Sequence, residues 1–276
     1  MKSTSPATGS LLEILLLLSP ESSKTTLRSW IERGRVLVDG KIVTSSKQEI
    51  KKGQQVCLSP RSLFLREGVK VLYEDKDLVV IEKPANLLSV DKDTGSEPSV
   101  HALLKRRFHH QRVYPVHRLD RDVSGVMVFA YSESARDSLK KTFEKHEISR
   151  VYIAIVQGHL EKVSGKWENS LVEDKNYHVH VNDQGQLAIT HFEVIGKTKK
   201  LTALRLKLET GRKNQIRVQC AHAGHPILGD VKYGGVSSER LFLHAHLLEF
   251  NHPLKNKKFS FVSPLPTPFR KFIDIN

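Results

Sequence analysis

Residues 117–125 read His-Arg-Leu-Asp-Arg-Asp-Val-Ser-Gly, which sets one carboxylate, Asp120, between Arg118 and Arg121 and just ahead of an apolar run over 126–130. Cations within several ångströms favour the ionised form of a carboxylic acid. A permanently charged aspartate can attack an electrophilic carbon or stabilise positive charge developing there. Read alone, the pattern equally fits a turn or helix-cap aspartate in a surface ion pair, so the rest of the chain must decide. The 14 histidines include His109 with His110, His178 with His180, His222 with His225, and His244 with His246. Paired imidazoles can bind transition metals, yet no H-E-x-x-H or Cys/His cluster completes a site, so no metal is expected. Cys57 and Cys220 stand far apart in no C-x-x-C pattern, which argues against a disulfide framework and fits a reducing cytoplasm. With no dinucleotide fingerprint and no P-loop, no cofactor is expected either.

The elements that must position Asp120 are of both kinds. Residues 79–81, 126–130 and 151–156 read as buried strands, and 204–208 alternates as a strand with one wet face. Residues 134–147 and 215–223 have helical composition. Strands and helices without strict alternation predict an α+β fold. Nearer the start, residues 11–18 form an apolar run too short to span a bilayer and followed by no small-residue cleavage site, so a helix buried in a small domain is expected. A second helix, opened by Ser or Thr caps, places Leu27, Trp30 and Ile31 on one face and stops at Gly34. Residues 36–43 read as a hairpin around Asp39-Gly40, and a final strand follows 51–56. Pro60 and Gly68 mark 59–68 as a linker between a domain over 1–58 and a larger one over 69–276.

Charge narrows the partners. The 276 residues carry 44 Lys plus Arg against 30 Asp plus Glu, a net charge of +14, and such a field attracts polyanions. With no amphipathic basic helix or lipidation motif, nucleic acid is favoured over a membrane surface. The first 70 residues hold 12 Lys plus Arg against 6 Asp plus Glu. No apolar interface stripe stands out, so a monomer is expected.

The segment 117–125 resembles the H-R-L-D-x-x-T-S-G signature of RNA pseudouridine synthases of the RluA type. Further segments resemble that family's motifs in the same order. They are Leu72-Tyr73-Glu74-Asp75 with the strand ending in Lys83-Pro84, Arg150-Val151-Tyr152, Gly211 to Val218 with its Gln215-Ile216-Arg217, and Gly224-His225-Pro226-Ile227-Leu228-Gly229-Asp230. The resemblance covers roughly residues 69–265, and several motifs in order are far more specific than one. The first domain resembles the alpha-L RNA-binding module through its I-x-x-G-x-V-x-V-D-G core, with Lys24, Arg28, Arg33, Arg35 and Lys41 at its basic positions. Several positions depart from the pattern: Val123 for Thr, Arg150 for Lys, Lys213-Asn214 for Thr-His, and Gln219 for His.

The resemblance implies a long, mainly antiparallel mixed sheet with a central cleft, and isomerisation of uridine to its C-glycoside. That reaction breaks the bond from ribose C1′ to uracil N1, turns the base, and joins C1′ to C5. It involves no net redox change. Hydrolytic glycosidases usually add a second carboxylic acid to protonate the leaving group, whereas Asp120 has arginines as its nearest charged neighbours, which suits isomerisation better. By resemblance, Asp120 is the catalytic aspartate, Arg217 its buried ion-pair partner, and Tyr152 the residue that stacks on the base and accepts a proton. Arg118 would fill the place of the flipped uridine or grip phosphate, with Lys83 and Arg212 as further RNA contacts. The accessory domain points to large-subunit ribosomal RNA, with transfer RNA as the alternative substrate and a ribosome-assembly factor that only binds RNA as the alternative function.

Overall fold

The computed structural model describes residues 2–32, 34–59, 65–91, 97–107, 112–255 and 257–272. They belong to two compact units, Met1–Val71 and Leu72–Asn276. The expected linker falls partly outside the described residues, which resume at Leu65.

In the first unit, strands β1 (Lys2–Thr4) and β2 (Gly9–Ser10) precede helices α1 (Leu11–Leu18) and α2 (Lys24–Glu32). Strands β3 (Val36–Val38), β4 (Lys41–Ile42), β5 (Glu49–Ile50) and β6 (Gln55–Leu58) follow. Ser10 caps α1: its hydroxyl accepts from the Glu13 N–H while the Glu13 carboxylate accepts from the Ser10 N–H, so two orphan donors are satisfied at once. Leu11, Ile14 and Leu15 of α1 and Leu27 and Ile31 of α2 are buried together with Val36, Ile50 and Val56, and Trp30 packs at the margin. Gly34 ends α2 in a left-handed conformation. The hairpin turns at Asp39 and Gly40, both at positive φ, as a type I′ turn requires. The final strand joins a four-stranded sheet in the order β1-β6-β3-β4, where β1 was not foreseen.

The second unit is built on β7 (Lys70–Glu74), whose first two residues are the last of the first unit, β8 (Leu78–Lys83), α3 (Val100–Arg107), β9 (Tyr114–Pro115), β10 (Ser124–Ala130), α4 (Glu133–Glu144), β11 (Ser149–Gln157) and β12 (Ser164–Glu173). It continues with β13 (Val179–Val181), β14 (Gln186–Lys197), β15 (Leu201–Leu208), α5 (Gln215–His222), β16 (Leu243–Asn251) and β17 (Lys258–Val262). Eleven strands form one sheet, ordered β13-β12-β14-β15-β11-β16-β10-β8-β7, with β17 on β16 and β9 on β10. The fold is α+β.

Among the described residues, β10 and β16 make the one parallel strand pairing, through Ser124 with His244 and Gly125 with Ala245. Gly125 is needed there: φ is +127°, and a Cβ would lie 2.2 Å from the Ala245 carbonyl oxygen. On this edge β10 meets β16 only at 124–125 and β9 only at 129–130. The Val128 N–H between them is taken instead by His117 Nε2 at 3.1 Å. Every residue of β10 is buried, so the strand fixes the segment before it, where Asp120 stands.

Candidate active site

The segment from His117 to Val123 joins β9 to β10 and is pinned at several points. Leu119 and Val123 are buried. Ser89 Oγ donates to the Leu119 carbonyl at 2.6 Å and accepts from its N–H at 3.0 Å. Lys83 Nζ donates to the Arg121 carbonyl at 2.8 Å. Asp120 is thereby held at the wall of a pocket of about 200 Å³ that Arg118, Asp120, Tyr152, Arg212, Asn214 and Arg217 help to line. That is smaller than the roughly 300–1,000 Å³ of pockets for drug-sized ligands, and it suits a single base with its sugar rather than a stacked run.

Arg217 comes to this pocket from α5, whose N-cap residue Asn214 is left-handed. Arg217 is 8 % exposed, and its guanidinium makes a two-pronged pair with Asp230, Nε to Oδ2 and Nη2 to Oδ1, both 2.7 Å. Nη1 reaches Asn214 Oδ1 at 3.3 Å and Asp120 Oδ2 at 3.6 Å. The Tyr233 ring lies 5.1 Å from the guanidinium carbon, and its hydroxyl accepts from Asn214 Nδ2 at 2.9 Å. Burial works against the Arg217 charge, but the hydrogen bonds and charge of Asp230, with Asp120 and Tyr233, outweigh it and hold the group above its ordinary value. Arg217 thus meets Asp120 as expected, but its tightest partner is Asp230.

Tyr152 lies on β11, whose pairing with β16 shifts register between Val151 and Tyr152. Burial pushes its hydroxyl up to about 12, eased by Arg150 and reinforced by Asp120. It is therefore a neutral phenol at physiological pH. Arg150 donates to the Glu209 carbonyl at 3.1 Å and lies 5.7 Å from the Phe143 ring. A Cβ on Gly211 would sit 2.4 Å from its Nη1, so the glycine leaves room for the arginine that replaces the expected lysine.

The chain matches the RNA pseudouridylate synthase family over residues 77–222 and the S4 domain over 11–56. The chain belongs to the RNA pseudouridylate synthase family. It is 32% identical to ribosomal large subunit pseudouridine synthase D of Pasteurella multocida, over 95% of this chain and 89% of that protein. To the protein of the same name from Escherichia coli K12 it is 31% identical, with the same coverage of both chains. Among solved structures it is similar to human RNA pseudouridylate synthase domain containing 4, with a TM-score of 0.61 and 25% identity over 72% of this chain and 89% of that one. Human RNA pseudouridylate synthase domain containing 1, at TM-score 0.63 and 23% identity over 78% and 91% of the two chains, shares the fold.

For this RNA pseudouridine synthase, several expected RNA contacts fall in different places. Arg118 and Arg212 are exposed at the pocket, with Arg212 Nε donating to the Leu187 carbonyl at 3.0 Å. Lys24, Arg28 and Lys41 are exposed on the first unit. Arg35 is half-buried, donating from Nε to the Ser59 carbonyl at 2.9 Å beneath the Trp30 ring. Arg33 and the pair His109 and His110 lie outside the described residues.

Lys83 requires a correction: it is fully buried and cannot contact RNA as expected. Its Nζ donates to the carbonyls of Pro84, Leu87 and Arg121 at 2.7–2.9 Å. Burial, reinforced by Arg240 and opposed by Asp122 and Asp120, pushes it down to about 7. Three carbonyls need three N–H groups, which only the ammonium form supplies, so Lys83 ties the Asp120 segment to the loop after β8.

Asp230 and Tyr233 were missed as site residues, although Gly229-Asp230 closes a motif already singled out. Among the described residues two groups have metal-compatible spacing, Asp174 with His178 and His180, and Asp75 with Asp77 and His252. Neither includes a residue lining the pocket; Asp174 accepts from the Asn176 and His178 N–H groups and Asp75 from Lys255 and Tyr73, whereas Asp77 Oδ2 is buried without a hydrogen-bond partner.

Proposed function

We propose that this pseudouridine synthase isomerises uridine in large-subunit ribosomal RNA, with Asp120 as its catalytic carboxylate acting on a base flipped out of the RNA stack. The substrate assignment rests on the names of relatives that share 31–32% identity along 95% of the chain. One observation carries the catalytic assignment: Asp120, Tyr152 and Arg217, from three separate elements, line the same pocket. Breaking the bond from C1′ to N1 builds positive charge at C1′, which an ionised aspartate beside that carbon attacks or stabilises. The base then turns within the pocket, C5 bonds to C1′, the hydrogen on C5 leaves as a proton, and N1, freed from C1′, takes up a proton in exchange. Tyr152 offers a ring for the base to stack on and a hydroxyl near the reacting carbons. Since that hydroxyl is neutral, it takes up the proton only while passing its own onward. Arg118, exposed at the pocket mouth, would occupy the place the uridine leaves. We propose a monomer acting in the cytoplasm, where ribosomal RNA is met. Among the described residues no helix is long and apolar enough to cross a membrane.

The test is carbodiimide mapping of pseudouridine in total RNA from cells carrying the wild-type chain or Asp120→Ala. Loss of sites in large-subunit ribosomal RNA is the expected result. Loss in transfer RNA alone would move the substrate, and no loss in any RNA would sink the catalytic reading. Rescue of every deletion phenotype by Asp120→Asn would leave RNA binding, as in an assembly factor, as the function that matters.

A further inference from the structure

We infer that Asp230 is a positioning residue for the reaction: it neutralises and orients Arg217 so that Asp120 stays in place while its negative charge remains available to the pocket. The inference rests on Asp120 being the catalytic carboxylate. An arginine buried to this degree needs a compensating anion. If Asp120 were its only one, the two would close into a tight pair and the carboxylate would be quenched by the cation meant to hold it. The geometry divides the work differently. Asp230, 1 % exposed, engages both prongs of the guanidinium at 2.7 Å, the strongest form of this contact. What is left for Asp120 is the Nη1 edge at 3.6 Å, shared with Asn214 at 3.3 Å. The three charged groups sum to one negative charge, and Asp120, with a quarter of its side chain exposed, is the member that faces solvent.

The loop that carries Asp230 is built to hold it still. Gly229 stands at φ +84°, where a Cβ would lie 1.9 Å from the Arg240 carbonyl oxygen, and a Cβ on Gly235 would lie 2.1 Å from that of Ile227. The Asp230 carbonyl accepts from the N–H groups of Tyr233 and Gly235, and its own N–H donates to Ile227. Tyr233 from the same loop covers the guanidinium face and receives the Asn214 amide. One loop therefore fixes Arg217 from two sides.

The full-length chain would be assayed by tritium release from ribosomal RNA labelled at uracil C5, under single turnover, with RNA affinity measured separately by filter binding and thermal melting recorded. Asp230→Asn is expected to lower the single-turnover rate on the order of 100-fold at unchanged RNA affinity, the pattern of an interaction felt only in the transition state. Asp230→Glu, which restores the charge with a longer reach, is expected to fall between Asn and wild type. A folded Asp230→Asn within about twofold of the wild-type rate, a loss that appears in affinity instead, or a Glu variant no faster than Asn would each overturn the inference. If Asp230→Asn does not fold, Glu against wild type decides, and equal rates at equal affinity overturn it. Asp120→Ala in the same assay separates the two readings. An active Asp120→Ala removes the catalytic assignment itself, whereas a dead Asp120→Ala beside a fully active Asp230→Asn removes only this inference.

Discussion

At the scale of single residues, the site depends on which polar groups are free and which are already committed. Tyr152 is free in this sense, and its hydroxyl, pushed up to about 12 by burial, stays protonated wherever the enzyme works. Tyr152→Phe keeps the ring and removes the hydroxyl. It should slow single turnover by about 10²–10⁴-fold, the usual weight of a positioned proton-transfer group, with RNA affinity unchanged. The wild-type rate should not climb tenfold per pH unit between about pH 8 and 10, and such a climb would mean that the phenolate is the acting base. Lys83 is committed. Lys83→Met should lower the unfolding free energy by about 3 kcal/mol, because buried carbonyls left without donors cost roughly 1–3 kcal/mol each. Urea denaturation measures this, and an unchanged midpoint would show that the three contacts hold nothing. Asp120, Tyr152 and Arg217 were legible because each sits in a motif whose neighbours give it away. Lys83 was not, since a lysine at a strand end looks solvated until the loops that enclose its ammonium group are seen.

At the scale of elements, strand β10 decides whether Asp120 is presented at all, and two neutral imidazoles serve it. His117 accepts the Val128 N–H where one edge of the strand has no neighbour, and His244 Nδ1 lies 2.8 Å from Ser124 Oγ at the strand's start. Burial, reinforced by Arg240 and His246 and opposed by the Ser263 carbonyl, pushes His244 down to about 4. The unfolded chain then binds a proton that the folded one refuses, so this histidine's contribution is lost as pH falls from about 6.5 toward 4, by up to ~1.4 kcal/mol per pH unit. Unfolding followed between these limits should show a shallower acid slope for His244→Gln than for wild type, and parallel slopes would exclude this source of acid lability. The imidazole pair was not legible, because Ser124 and His244 are 120 residues apart and only the parallel pairing of β10 with β16 brings them together. Local periodicity did locate α1, α2, the β3–β4 hairpin and the cores of β8, β10, β11 and β15. It missed α3, whose mixed polarity gave no clear stripe, and β12, whose residues are nearly all exposed or half-buried and so carry little apolar alternation.

At the scale of the whole molecule, a net charge of +14 gives affinity for RNA but does not choose a uridine. Phosphate contacts are sequence-independent and release counterions, so they should appear as salt dependence rather than as selectivity. On the proposed mechanism, chemistry and grip fall to different residues: Asp120, Tyr152 and Arg217 line the pocket, whereas Lys24, Arg28 and Lys41 are exposed on the S4-type unit. The two functions should therefore separate under mutation. Replacing Lys24, Arg28 and Lys41 together by alanine should weaken RNA binding and reduce the slope of log affinity against log salt by about 2–3, at roughly 0.7–0.9 per phosphate contact. With enzyme in saturating excess, the single-turnover rate should stay at the wild-type value, because nothing that meets the base or C1′ has changed. An unaltered salt slope would mean that these three cations face solvent rather than phosphate. A slope that falls together with the saturated rate would mean that the S4-type unit helps to deliver the uridine to Asp120 as well as to hold the RNA.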